Sequence, residues 1–370
     1  MSLRPLLLGA VLLTAVSAPC RAVAQTLSVP QDFTISVFAE GLARARFLAV
    51  DPKGTLLLSL PHAGRIVALP DGDRDGRADR VVTVADNLDL PHGMVFHEGK
   101  LYVGLADRVV RFHYDPRVLR ATNPQVIVAS LPRGGNHPYK TVTVGPDQRL
   151  YVSVGSSCNV CEERDRRRAA ILRYNLDGTG ETLVAAGVRN AVGIAFNPAT
   201  GRLWATINER DWRGDDLPPD YITEIAEGGF YGWPYCYVLQ RRPHPDPDHP
   251  FARPERCVGM AIPTLEIQAH SAPIGLTFYT GSQFPAEYRG DLFVVYRGSW
   301  NRSVPTGYKL VRVRMRAGQP QGIEDFARGW LEEGRVHGRP VDAAVGGDGS
   351  LYLTDQGSGR VYRISYVGSR

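Results

Sequence analysis

The sequence predicts an all-β chain folded as a six-bladed β-propeller of four-stranded antiparallel blades. Three observations carry this expectation. A turn bearing Gly, Pro or Asp followed by a Leu-led, β-rich strand occurs six times, with Leu56, Leu101, Leu150, Leu203, Leu292 and Leu351 opening the strands. Their spacings are 45, 49, 53, 89 and 59 residues, which suits one blade per repeat, with a large insertion in the long gap. Helical periodicity is nearly absent. A β-helix would repeat at a shorter period, and a pair of sandwiches would not repeat.

Residues 1–24 read as a secretory signal peptide. Arg4 is followed by an apolar run too short to span a bilayer, and Ala22-Val23-Ala24 forms a small-x-small cleavage site before Gln25. Cys20 offers a lipidation alternative, for which Pro19 is a poor match. Residues 25–370 are expected to form one propeller domain, periplasmic or secreted, with no membrane span. Without the leader the chain carries 41 basic and 38 acidic residues, net +3, and no Lys/Arg run that would mark a nucleic-acid partner. Four cysteines remain, and in an oxidising compartment an even set implies disulfides. The pairing with the shortest loops is Cys158–Cys161 and Cys236–Cys257; a four-cysteine zinc site is the alternative. The long gap holds the Pro-rich segment Arg241–Pro250, which places it in the insertion.

Each hairpin returns the chain to the face it left, so residues before first strands and after second strands share one face. If the first strand is innermost, they ring the central channel. Arg44, Arg46, His92, Asn136, His137, Lys140, Arg189, Asn190, His270, His337 and Arg339 stand before first strands. His62, Asp107, Ser156, Asn208 to Asp211, Arg297, Asp355 and Gln356 stand after second strands. Five of nine histidines and at least five arginines thus meet on one face, whereas turns at the other face, such as GPDQ and NPATG, are ordinary.

GNHPYKTVTVGPDQRLYVSVGSSCNVC, VRNAVGIAFNP, INERDWRGDD, GGFYGWP and GRPVDAAVGGDGSLYLTD together resemble the glucose/sorbosone dehydrogenase family, over nearly the whole chain and in the same order. CNVCEE and INERD resemble its sorbosone-type branch. The resemblance implies a soluble quinoprotein that uses pyrroloquinoline quinone (PQQ) and Ca2+ to oxidise an aldose sugar or sugar-derived aldehyde, passing electrons to an unknown acceptor. It implies His137 as the general base, and Arg189, Asn190, Arg297 and Arg339 as cofactor-binding residues. The loop Glu209, Arg210 and Asp211 falls where the family presents carbonyls to calcium. The ring chemistry agrees. A tricarboxylate needs planar cationic donors, a hydroxyl proton needs a base that is neutral near pH 7, and calcium prefers oxygen ligands. Three positions depart from the glucose dehydrogenase pattern: Ser156 for an aspartate, Val192 for a glutamine and Val341 for a second arginine.

DGDRDGRAD carries Asp71, Asp73, Asp75 and Asp79 at the spacing of half a calcium loop, and Val82 at the twelfth position excludes an EF-hand. A structural calcium or a solvated acidic turn both fit. Two other functions stay open on residues alone. One is a calcium-dependent lactonase-type hydrolase, which the Arg/His-rich ring disfavours. The other is a secreted binding propeller that has lost its cofactor.

Overall fold

All six hairpins form. The computed structural model describes residues 27–368, so the expected signal peptide and Cys20 lie outside the described residues. The first blade is built from Leu48–Val50, Leu56–Leu60, Arg65–Leu69 and Val82–Ala85, and the second from Met94–His97, Lys100–Gly104, Val109–Asp115 and Arg120–Val128. The third comprises Lys140–Val144, Arg149–Val154, Ala170–Asn175 and Thr182–Ala186, and the fourth Ala191–Phe196, Leu203–Ile207, Asp220–Glu224 and Leu265–Ile267. Pro273–Phe278, Leu292–Tyr296, Lys309–Arg316 and Gln319–Ala327 form the fifth. The sixth takes Pro340–Val345, Leu351–Asp355 and Arg360–Tyr366, and its outer edge is the N-terminal strand Phe33–Ala39. The six repeat leucines all lie in second strands and are buried. First strands contact first strands around the whole ring, so they are innermost as the hairpin argument requires.

Side chains alternate across each twisted blade, and the apolar sets of neighbouring blades interdigitate. Trp204 and Ile222 of the fourth blade, for example, pack on Leu276, Phe278 and Val294 of the fifth. The long spacing is an insertion between the last two strands of the fourth blade. It sends Gly229–Phe230 to pair in parallel with Thr182–Ala186 of the third blade, then forms a hairpin from Cys236–Leu239 and Arg242–Pro245. Both expected disulfides are present, Cys158–Cys161 and Cys236–Cys257, which removes the zinc alternative. Among the described residues no helix is long and apolar enough to cross a membrane.

The ring closes where the two ends of the chain pair. Phe33–Ala39 runs antiparallel to Arg360–Tyr366, covering an edge that would otherwise present unpaired backbone groups. Phe33 anchors this joint, meeting Phe284, Tyr288, Phe326 and Tyr366 edge-on at centroid distances from 4.8 to 5.2 Å. Deleting its ring removes both the transfer energy and contacts from four partners. Phe33→Ala is therefore expected to destabilise the fold by about 3–5 kcal/mol, read by denaturant unfolding; an unchanged midpoint would show that closure does not depend on this residue.

Candidate functional site in the central channel

Strand ends from all six blades converge on one face of the channel and line two adjoining cavities. One is walled by Arg44, Arg46, His62, Tyr139 and Gln356, the other by Glu209, Asp211, Asp220 and His270, and His137, Asn190 and Arg297 border both. One wall is cationic and the other acidic, with the imidazole at the seam.

On the cationic wall, Arg46 is buried, donates to Gln356 Oε1 at 3.3 Å, lies 3.1 Å from His92 Nε2 and sits 4.7 Å over the Tyr139 ring. Its Nε is buried without a partner. Arg297 donates its Nε to the same Gln356 oxygen at 3.2 Å, and burial, then Arg46 and Arg339, push its pKa down to about 10. Arg339, which lines an adjoining opening with Arg44, Arg297 and Gln356, donates to the Gly298 carbonyl at 3.5 Å and lies 5.2 Å over the Tyr308 ring, and Arg44 lies 3.2 Å from His62 Nε2. None of these four guanidinium groups ion-pairs with a carboxylate among the described residues, although most arginines elsewhere in the fold do. His92 is held neutral, first by burial and then by Arg46. It therefore accepts from Arg46 at Nε2 instead of adding charge. Arg46 and Arg297 thus share one neutral acceptor while partly desolvated, an arrangement whose charge is not offset by a carboxylate among the described residues.

His137 enters before the third blade. Its Nδ1 lies 3.0 Å from both the Ser156 carbonyl and Ser156 Oγ, and that hydroxyl donates to the Cys158 carbonyl at 2.7 Å. The hydroxyl proton is thus committed, so Nδ1 carries the hydrogen and Nε2 is left as a lone pair without a hydrogen-bond partner among the described residues. Burial, then the nearby Arg189, lower the His137 pKa to about 3. Ser156 orients the ring by dipoles rather than charge. Gly155 backs the pair, because a side chain there would strike His137 Cβ at 2.5 Å and Asn190 Oδ1 at 2.7 Å.

The structure brings the expected residue Arg189 to the acidic wall, but all five of its N–H groups are already engaged. They reach the carbonyls of Asn159, Asn208 and Glu209, the Asn159 side chain and Asp211 Oδ2. Asn159, between the two disulfide cysteines, also holds Asp211 through its backbone N–H at 2.8 Å and carbonyl at 3.0 Å. Glu209 is buried, and desolvation raises its pKa to about 8 against the opposing pull of Arg189. Asp220, which sequence reasoning did not single out, is pushed to about 7 by burial while accepting from the Glu209 and Ala272 N–H groups. The Arg210 side chain turns away to Asp246 and Asp248 of the insertion, at 2.8 to 3.0 Å. Beneath the cavities, Val192 and Val341 pack with Phe47 and Ile274 as an apolar floor. Two of the three family departures are therefore one packing solution.

Four ring residues are not where the hairpin argument put them. Lys140 is buried and donates to the Pro138 carbonyl at 2.9 Å; strand alternation gives the channel side to Thr141. His337 follows the short hairpin of Leu331–Glu332 and Arg335–Val336, its backbone N–H donating to the Trp330 carbonyl, and Asp107 pairs with Arg108 at 2.6 Å. Asp355 accepts from Trp330 and from the backbone of Arg339, Gly357 and Ser358, so it supports the fold. In the other acidic segment, Asp71, Asp73 and Asp79 bring oxygens within 4.8 Å of one another, whereas Asp75 caps the Arg77 N–H instead. This cluster borders the turns at Gly54 and Gly347, on the face opposite the ring.

Fold and site together define a six-bladed propeller whose channel sets guanidinium groups without carboxylate partners among the described residues beside a neutral imidazole. The chain belongs to the TrAA12-like family, whose model matches residues 27–367. It is 29% identical over 377 residues to an uncharacterised protein of Borreliella burgdorferi, covering 96% of this chain and 95% of that one. It is 24% identical to a pyrroloquinoline quinone-dependent pyranose dehydrogenase of Coprinopsis cinerea, over 78% of this chain and 44% of that one. Among solved structures, a Trichoderma reesei carbohydrate-active enzyme of family AA12 superposes with a TM-score of 0.81 at 19% identity, covering 95% of this chain and all of that one. The holo PQQ domain of the Coprinopsis cinerea pyranose dehydrogenase gives 0.79 at 22% identity, covering 92% and 97%. These likenesses share the fold.

The geometry of His137 makes a direct prediction. With its pKa lowered, the folded protein binds fewer protons than the unfolded chain between pH 3 and 6.5, so the neutral Nδ1–H tautomer persists through pH 5–8. Nitrogen-15 NMR of histidine-labelled protein should show that the rings of His137 and His92 do not titrate in that window, with the His137 signal identified by its loss in His137→Ala; a midpoint near pH 6.5 for that signal would contradict the burial argument.

Proposed function

We propose that the chain is a PQQ- and calcium-dependent dehydrogenase that oxidises an aldose sugar or a sugar-derived aldehyde of the sorbosone type. The observation that carries this reading is that Arg44, Arg46 and Arg297, none of them ion-paired among the described residues, line one cavity with His137, and Arg339 lines the adjoining opening beside Arg44, Arg297 and Gln356. A tricarboxylate fits such a wall, and the buried, unpartnered Arg46 Nε is the atom that most needs an anion. Arg297 and Arg339 would take carboxylates with it, and Asn190 would reach the same group from the seam. Arg189 would act through the loop it holds, or contact the cofactor by giving up one loop bond. PQQ, when bound, supplies an ortho-quinone that accepts a hydride.

This chain's own task is the proton. His137 Nε2 would take it from the substrate hydroxyl, and Ser156 would steady the resulting imidazolium through Nδ1–H. The Glu209–Asp211 loop would place a calcium ion against the acidic wall, where a divalent cation offsets carboxylates that burial otherwise disfavours. Asp71, Asp73 and Asp79 would hold a separate calcium that serves stability. Export to the periplasm or beyond fits the disulfides and the sequence of residues 1–24.

Reconstitution tests the reading. Purified protein given PQQ and calcium should reduce an artificial dye with members of a panel of aldoses and aldehydes, and absence of reduction with every one would refute it. His137→Ala should cut turnover by about 10²–10⁴-fold with PQQ affinity largely kept. In titration calorimetry, Arg46→Ala, Arg297→Ala or Arg339→Ala should each weaken PQQ binding by roughly 10–100-fold, whereas equal affinities would mean that the cationic wall serves another ligand.

A further inference from the structure

The rim of the acidic cavity carries a feature that neither cofactor nor proton transfer uses. Trp212 and Trp300 are 67% and 59% exposed, whereas Trp204, Trp233 and Trp330 are buried. They come from different blades, Trp212 just after the Glu209–Asp211 loop and Trp300 after the second strand of the fifth blade. They meet edge-to-face with centroids 5.1 Å apart and planes at 88°. Trp212 adopts φ +69°, a left-handed conformation that is an outlier for a bulky residue. The loops beneath are tied together, with the Ser303 N–H on Asp215 Oδ1 at 3.0 Å and Arg302 paired to Asp216 at 3.3 Å. The two indoles are therefore held in place rather than loosely displayed.

The next residue decides what covers them. Asn301 lines the same cavity as His137, Asn190 and Trp300, a space of about 270 Å³. Its Nδ2 and Oδ1 are both buried, and neither has a hydrogen-bond partner among the described residues. Either orientation of the amide leaves a donor and an acceptor unmet, which is costly unless a ligand supplies both. An apolar partner would cover the indoles and abandon the amide. An anion would satisfy only the Nδ2 side and gain little from aromatic faces. A pyranose meets both demands, since its C–H face is apolar and its adjacent hydroxyls each donate and accept.

We propose that Trp212, Trp300 and Asn301 form a sugar-ring subsite at the channel mouth, with the indoles against the ring face and the Asn301 amide bridging neighbouring hydroxyls. Its link to turnover rests on the dehydrogenase reading above; its binding role does not. Trp300 borders the cavity of the base and Trp212 lies farther out, so a disaccharide should engage both and a monosaccharide mainly Trp300.

Titrating the protein without added quinone separates the two claims. Glucose and cellobiose should quench tryptophan emission and bind in calorimetry, cellobiose more tightly, while the open-chain polyol sorbitol should bind far more weakly. Trp300→Ala and Asn301→Ala should each weaken pyranose binding roughly 5–50-fold. Trp212→Gly, which suits the left-handed backbone, should remove the cellobiose advantage, and melting curves check that every variant folds. In reconstituted enzyme the Trp300 and Asn301 variants should raise KM for pyranoses by more than they lower kcat, with KM for the dye unchanged. Equal binding of sorbitol, unaltered affinity in the variants, or a raised dye KM with an unchanged sugar KM would each overturn the subsite; the last would make the rim a docking place for the electron acceptor. Sugar binding without dye reduction by the PQQ-loaded wild type would uphold the subsite and refute the dehydrogenase, and dye reduction with wild-type KM in the variants would do the reverse.

Discussion

Two guanidinium groups share one neutral oxygen at the centre of this molecule, and much of the site follows from that. Gln356 Oε1 accepts from both Arg46 and Arg297, which cannot cancel the charge of either. Water is partly excluded, so the potential is poorly screened, and an anionic ligand is the natural counter-charge. Only a rigid frame can hold like charges in this way. A propeller supplies it, because six inner strands fix six loop origins around a small circle, and Arg46, Arg297 and Arg339 are presented by the ends of the first, fifth and sixth blades.

The neutral groups of the channel are as deliberate as the charged ones. His92 stays uncharged next to Arg46 and stacks on Tyr139 at 4.6 Å, which lets that ring face the guanidinium. His137 stays uncharged because burial and Arg189 outweigh the carbonyl it faces. The acidic wall follows the same logic with opposite sign, as burial raises Glu209 and Asp220. Folding thus leaves the site short of negative charge on one side and crowded with carboxyl groups on the other. That polarity suits a ligand set with both signs.

The sequence made the architecture legible because its periodicity is global. Six leucines at blade spacing and the return geometry of a hairpin locate the ring without any contact being known. Individual directions were harder, since loop residues have no period. Lys140 lies one residue from Thr141 and so faces the wrong way, and Asp355 looks like a ring acid until Trp330 and three backbone N–H groups claim it. Asp220 gave no signal, because an acid within an otherwise ordinary strand betrays neither its burial nor the loop it caps. The exchange of polar residues for Val192 and Val341 looked like two losses in one dimension and is a single apolar contact in three.

The insertion of the fourth blade has a consequence for how this ring can be rearranged. Gly229–Phe230 crosses to pair with the third blade, and Asp246 and Asp248 reach back to clasp Arg210. The crossing strand therefore adds a backbone pairing between the third and fourth blades, and the clasp on Arg210 fixes the insertion to the fourth-blade loop. New chain ends introduced by circular permutation should be accepted at the exposed turns of the first, second or fifth blade. Ends cut between Gly229 and Asp248 would separate the crossing strand from the clasp that fixes it, so the insertion and the third-blade edge it pairs with should be kept on one continuous segment.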